Sequence, residues 1–178
     1  MNGRTIRLGP WPHWAPGLQT RVAFPYSLPL EASTLGGAAW TENPDGTFTQ
    51  SRPGYFVPAS GYSYLDLYLM GLMSAAEVPD FFLLDNLVRV GSDAGGRPIF
   101  KADRQTVTIQ DVIAAEGPRL PEADHSQRAF NTGIVVMVEH GKHPSAKLLD
   151  QAEGIRRQWI AYWETVTGHR ASMTTDPR

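Results

Sequence analysis

Gly61-Tyr62-Ser63-Tyr64-Leu65-Asp66-Leu67-Tyr68-Leu69-Met70-Gly71-Leu72-Met73 is the stretch from which the fold is read. Ser63 with Asp66 three residues on has the spacing of a capping box, in which hydroxyl and carboxylate satisfy backbone donors that the first helical turn leaves unpaired. From Tyr64 to Met73 apolar or aromatic side chains fall on every side, and only Asp66 is charged. A helix that is apolar all round has to be buried. The segment is therefore expected to be a central buried helix through Met73, with Leu69 fully inside and Asp66 as its one chemically distinctive group.

Working outward toward the C-terminus, Ser74 to Val78 reads as a short extra helical turn stopped by Pro79. Phe81–Val90 and Arg97–Thr108 are strand-like and flank Gly91-Ser92-Asp93-Ala94-Gly95-Gly96, which predicts a β-hairpin. Thr108 and Asp111 repeat the capping-box spacing before a short helix that ends at Gly117-Pro118. Ile134–Val138 is apolar and mostly β-branched, so a buried strand is expected there. Pro144-Ser145 opens a long helix in which Leu148, Ala152, Ile155, Trp159, Tyr162 and Val166 form one apolar stripe, with Gly168 at the end.

Toward the N-terminus, residues 1–60 carry eight prolines and the pairs Gly36-Gly37 and Asp45-Gly46, so turns are expected to dominate. They also hold Trp11, Trp14, Phe24, Tyr26, Trp40, Phe48, Tyr55 and Phe56, too many large apolar side chains for a disordered arm. The expectation is a loop-rich layer packed over the central helix, with a short strand at Thr47–Thr49 after the turn at Asn43–Gly46.

The chain of 178 residues, 42% hydrophobic, is long enough for one domain with its own core. Sixteen basic and eighteen acidic residues leave a net charge of −2, which gives no reason to expect a nucleic acid or an anionic membrane as partner. Zero cysteines exclude disulfides and thiolate metal sites, and are compatible with a reducing cytoplasm and with secretion alike. No stretch near Met1 has the apolar run of a signal peptide, and no window reaches the length of a membrane span. The fold class expected is α+β: a single domain over 1–178, in which 1–60 form the aromatic layer and 61–178 a core of buried central helix, small antiparallel sheet and long amphipathic C-terminal helix.

Pro12-His13-Trp14, Thr34-Leu35-Gly36-Gly37 with Trp40, Asp45-Gly46-Thr47-Phe48, Tyr62–Leu72, Glu77-Val78-Pro79, Thr108–Arg119 and the closing Thr167-Gly168-His169-Arg170 together resemble the C-terminal part of bacterial, secreted zinc-metallopeptidase-like proteins. The Leu-Asp-Leu-Tyr-Leu-Met-Gly-Leu core of the central helix is the most specific part. The resemblance implies a longer parent protein, outside the cytoplasm, with a His-Glu-x-x-His helix upstream of Met1, zinc as cofactor and a peptide or protein as substrate. In such enzymes two histidines one turn apart bind zinc, the glutamate between them is the general base, and a third ligand comes from further along the chain. The present sequence contains no His-Glu-x-x-His, so the isolated chain is expected to have no cofactor and no complete catalytic constellation.

Two residues are candidates for a metal site in the parent. Asp66 is the first, because a carboxylate in an apolar helix needs a partner. A metal is one such partner and the helix's own N-terminus is another. As a cap alone, Asp66→Asn is expected to cost about 1 kcal/mol or less. His13, in a proline-flanked loop beside Trp14, is the second candidate by resemblance, and an ordinary hydrogen-bonded loop histidine is the competing reading. His140 and His143 flank a glycine, and Asp124-His125-Ser126 is contiguous, unlike a hydrolase triad, whose members meet from separate segments. Two functional readings remain: a distal, non-catalytic part of a metallopeptidase-like protein, or a self-sufficient structural or peptide- or glycan-binding domain.

Overall fold

The computed structural model describes residues 13–25, 32–51 and 61–175. Over these residues the fold is α+β, and the strands form a six-stranded mixed sheet rather than a small antiparallel one. Four of its strands lie in the segment expected to be rich in loops: β1 (Trp14–Gln19), β2 (Gly36–Ala38) and β3 (Trp40–Glu42), which were not expected, and β4 (Phe48–Gln50), which overlaps the short strand expected at Thr47–Thr49. All are short, which is why prolines and glycines between them hid their periodicity. Trp11, Tyr26, Tyr55 and Phe56 lie outside the described residues.

β5 (Phe81–Ser92) and β6 (Pro98–Val107) make the expected hairpin, paired from Phe81↔Val107 to Ser92↔Pro98. The strand order is β2-β1-β5-β6-β4-β3. Its two outermost strands are separated in the chain by Ala39 alone. Ala38 carbonyl accepts from Thr20 N–H on the β1 side, and Ala39 carbonyl accepts from Ser51 N–H just beyond β4. The pairing therefore returns on itself through residues 36–42, which have β1 as parallel neighbour and β4 as antiparallel neighbour. Where β1 runs out, the Gln19 side chain continues the ladder: its amide nitrogen donates to the Trp40 carbonyl and its oxygen accepts from Trp40 N–H, both at 2.9 Å. At Gly17 β1 lies so close to β5 that an added Cβ would collide with the Leu84 carbonyl oxygen.

Alternation along β5 divides two cores, because successive side chains of a strand point to opposite faces. Phe82 and Leu84 join Ala38, Trp40 and Phe48, with the Trp40 and Phe100 rings edge to face at 5.5 Å. Phe81 and Leu83 join Leu18, Leu65, Leu67, Leu72, Val107, Ile109, Val112 and Trp163 in the larger core. Leu87, Phe100 and Ala102 still pack against the second core, while Val88 and Val90 on the same hairpin are exposed.

The central helix, α1 (Tyr64–Leu69), is shorter than expected. Gly71 at φ 75° ends it: Leu72 N–H donates to Leu67 carbonyl at 2.8 Å and Gly71 N–H to Tyr68 carbonyl at 2.9 Å. This is a Schellman motif, and it satisfies carbonyls that the last turn leaves free. Because the chain turns there, Leu69 is 43% exposed, while Leu67 and Leu72 are fully buried. Placing Leu69 in the core was therefore wrong. A single 3-10 turn follows at Ala75–Glu77, with its own capping box between Ser74 and Glu77.

α2 (Ile109–Glu116) has the expected Thr108–Asp111 capping box. A second 3-10 turn covers Ala123–His125, and the parallel pair β7 (Ala129–Asn131) and β8 (Ser172–Thr174) stands apart from the main sheet. α3 (Ala146–Val166) is capped by the Ser145 hydroxyl on Leu148 N–H and ends in a second Schellman motif at Gly168. Only its C-terminal part reaches the core: Trp163 and Val166 are buried, whereas Leu149 and Ile155 are exposed.

Ile134–Val138 is a correction. The segment is in no strand, and Val135 and Met137 are 83% and 88% exposed. Strand propensity reflects packing against neighbours, and among the described residues none pairs with this segment.

Candidate functional site

Asp66 is built into the N-terminus of α1 from three directions. Its Oδ2 accepts from Ser63 N–H and from the Ser63 hydroxyl, each at 2.7 Å. Its Oδ1 accepts from the Trp14 indole Nε1–H, also at 2.7 Å. The residue is 1% exposed. A carboxylate so placed is held by charge-assisted hydrogen bonds and by the positive end of the helix, which together offset its desolvation. The Tyr62 phenol is held above its ordinary value of 10.0, first by burial and then by the negative charge of Asp66.

His13 and Asp66, the two metal candidates, are thus tied to the same neighbourhood through Trp14, but they do not form a ligand set. His13 is exposed, while both Asp66 oxygens turn inward onto Ser63 and Trp14. Among the described residues no group of three or more His, Asp or Glu side chains is placed to hold a metal ion. As folded, Asp66 is 1% exposed and, among the described residues, no further His, Asp or Glu side chains stand with it to complete a zinc ligand set. His140 and His143 lie on the exposed connection before α3, and Asp124-His125-Ser126 is a turn whose Ser126 hydroxyl contacts the Pro121 and Glu122 carbonyls.

Beside Ser63 opens a cleft of about 390 Å³. Leu65, Pro79, Phe81, Phe82 and Trp40 supply its apolar lining, and Gln19, Arg21, Thr41, Glu42, Ser63, Tyr64 and Asp80 its polar one. It lies between the end of β1 and β3, at the point bridged by the Gln19 amide. Arg21 reaches toward the Trp40 carbonyl at 3.5 Å, at the limit of a hydrogen bond. Glu42 is contacted by Arg104 at 3.4 Å, and the Arg104 guanidinium lies 4.8 Å over the Phe82 ring. The rim thus presents charges of both signs around an aromatic floor.

Among the described residues the lining contains no histidine and no lysine, and the Ser63 hydroxyl donates to Asp66. Sequence reasoning singled out Ser63 as a helix cap and Tyr64 as part of an apolar helix, not as cleft residues, and did not single out Gln19, Arg21, Glu42 or Asp80. Ordinary polar residues of short strands and turns carry no motif, and only their convergence singles them out. Set against family models, curated proteins and solved structures, the chain matches none.

Proposed function

We propose that the chain is the distal, non-catalytic portion of a metallopeptidase-like protein, and that its task there is to hold an extended peptide in the cleft beside α1. The observation that carries this reading is the position of the cleft. Ser63, Tyr64 and Leu65, which line it, open the same helix that holds the Leu-Asp-Leu-Tyr-Leu-Met-Gly-Leu segment of the resemblance. An apolar floor with a few convergent polar groups is the usual constitution of a ligand site. Charges of both signs on the rim suit a zwitterionic peptide better than a polyanion. Asp66 acts as a structural carboxylate that fixes the cleft's wall, and catalysis belongs to residues of the parent protein.

The test is to express the open reading frame together with what precedes Met1, and to compare it with the 178-residue chain. The longer protein is expected to retain zinc through dialysis and to cleave an unstructured peptide, and the shorter chain to do neither. Peptide cleavage by the 178-residue chain, or a reading frame that encodes no His-Glu-x-x-His upstream, would contradict the proposal.

A second reading rests on the same cleft. The chain builds two cores and a sheet whose pairing closes on itself, so it is equipped to stand alone as a peptide- or glycan-binding domain. Zinc-free ligand binding with no upstream enzyme would favour it.

A further inference from the structure

In an antiparallel ladder a residue turns its N–H and C=O to one side of the strand, and its two neighbours turn theirs to the other. Along residues 39–43 the odd positions face β4: the Ala39 carbonyl accepts from Ser51 N–H, Thr41 stands opposite Thr49, and Asn43 N–H donates to the Thr47 carbonyl. Trp40 and Glu42 therefore turn their backbone groups away from β4. Trp40 meets the Gln19 side chain there, and the two exchange a pair of hydrogen bonds, both at 2.9 Å. A primary amide is thus already accepted in the place where the backbone of a neighbouring strand would lie. Two residues further on, Glu42 is exposed, and among the described residues no backbone hydrogen bond reaches it on that side.

This edge belongs to the cleft, whose lining includes Gln19, Trp40 and Glu42. A chain laid along it points alternate side chains to one face, because successive side chains of a strand point to opposite faces. Leu65, Phe81 and Phe82 stand in the same cleft to receive apolar ones. Arg21 and Asp80 are exposed in the lining and carry opposite charges, which matches a peptide bearing both signs.

We propose, resting on the reading above that this cleft holds an extended peptide, that the peptide binds by strand addition to β3: its backbone displaces the Gln19 amide and pairs with Trp40 and Glu42. Main-chain bonds then supply affinity for any extended sequence, and the cleft selects alternate side chains. Gln19 is the place-holder that keeps the Trp40 backbone satisfied until a peptide arrives. Covering an edge in this way also guards it against pairing with the wrong chain.

The test is titration of the 178-residue chain with a capped peptide of about six residues, the length of an ordinary strand, in which valine alternates with lysine or glutamate. Two copies of the peptide are N-methylated, one at every valine and the other at every charged residue. Only one of these sets turns its N–H groups to β3, so one copy is expected to lose at least tenfold in affinity and the other less than threefold. Glu42→Pro deletes a donor that points out of an edge strand, where proline is tolerated, and is expected to lose at least tenfold. Its fold is checked by amide-exchange protection at Thr49. Glu42→Ala keeps the N–H and is expected to lose less than threefold, and Gln19→Ala to gain at least threefold. Equal effects of the two methylated copies, equal affinities of the Pro and Ala variants, or weaker binding by Gln19→Ala, with amide shifts still at Tyr64, overturns strand addition and leaves the cleft as the peptide site. No binding at millimolar peptide overturns both. Self-association of the chain without peptide, lost in Glu42→Pro, assigns the edge to a second copy and overturns the proposal.

Discussion

The Trp14 indole donates its N–H to Asp66 Oδ1 at 2.7 Å across 52 residues of sequence, so the first described strand is pinned to the helix that carries the only charge in the segment. The carboxylate is shared: one oxygen caps α1 through Ser63 and the other holds β1. Trp14→Phe keeps the ring and deletes the donor, and it is expected to cost about 1–3 kcal/mol in a urea melt. Asp66→Asn is expected to cost at least as much, above the 1 kcal/mol anticipated for a cap alone. Whichever way the amide turns, its NH₂ faces either the indole N–H or Ser63. If the Asn variant melts like the unaltered protein, the shared carboxylate is not what holds β1.

Leu67→Ala and Leu72→Ala each remove a fully buried side chain, and a loss of about 2–5 kcal/mol is expected for either. Leu69, half turned to water after the helix ends at Gly71, is expected to lose under about 1 kcal/mol. A Leu69→Ala protein as unstable as Leu67→Ala would place the end of α1 beyond Met70.

Gly17→Ala tests the return of the sheet upon itself. Its Cβ has no room against the Leu84 carbonyl, so β1 must move off β5, and a loss above about 2 kcal/mol is expected with hydrogen-exchange protection falling at Leu18 and Leu83 together. Protection lost at Leu18 alone would show that the two strands are not coupled.

Acid should loosen the junction between the first 3-10 turn and the end of α3. Glu77 meets Arg170 at 2.6 Å, and its carboxyl is lowered from 4.5 to about 2, first by the Arg170 hydrogen bond and then by those from Ser74. A carboxyl lowered on folding contributes stability above its unfolded value and loses it as pH falls through the folded one. The contribution is therefore complete above pH 4.5 and lost toward pH 2. Glu77 is 41% exposed, so the pair is worth no more than about 1 kcal/mol. Glu77→Gln is expected to lower stability by that amount at pH 7 and not at pH 2, measured as a difference in denaturation midpoints. A constant difference across this range would rule out ionisation as the cause.

What could be read from the sequence was local. Ser63–Asp66, Thr108–Asp111, Ser145 and Gly168 announce helix ends because a cap involves residues within one turn. Gly71 carried the same signal, and the run of apolar residues around it concealed the stop. Nothing local reports that Gln19 completes the ladder to Trp40, that residues 36–42 have strands on both sides, or that Trp14 reaches Asp66. The Gln19–Trp40 and Trp14–Asp66 contacts join residues 21 and 52 apart, beyond the reach of any local pattern. Ile134–Val138 shows the converse: a strand sequence specifies a strand only when a neighbour supplies the other half of the ladder.

The most direct measurement is a ¹⁵N-labelled titration of the 178-residue chain with extended peptides of mixed charge, following backbone amides by NMR. If the cleft is the peptide site, shifts are expected at Arg21, Thr41, Glu42, Tyr64 and Phe82, with affinity reduced at least fivefold by Tyr64→Ala and by Arg21→Ala. Shifts confined to other surfaces, or none with peptide at millimolar concentration, would contradict the central claim that this wall of the fold exists to hold a peptide.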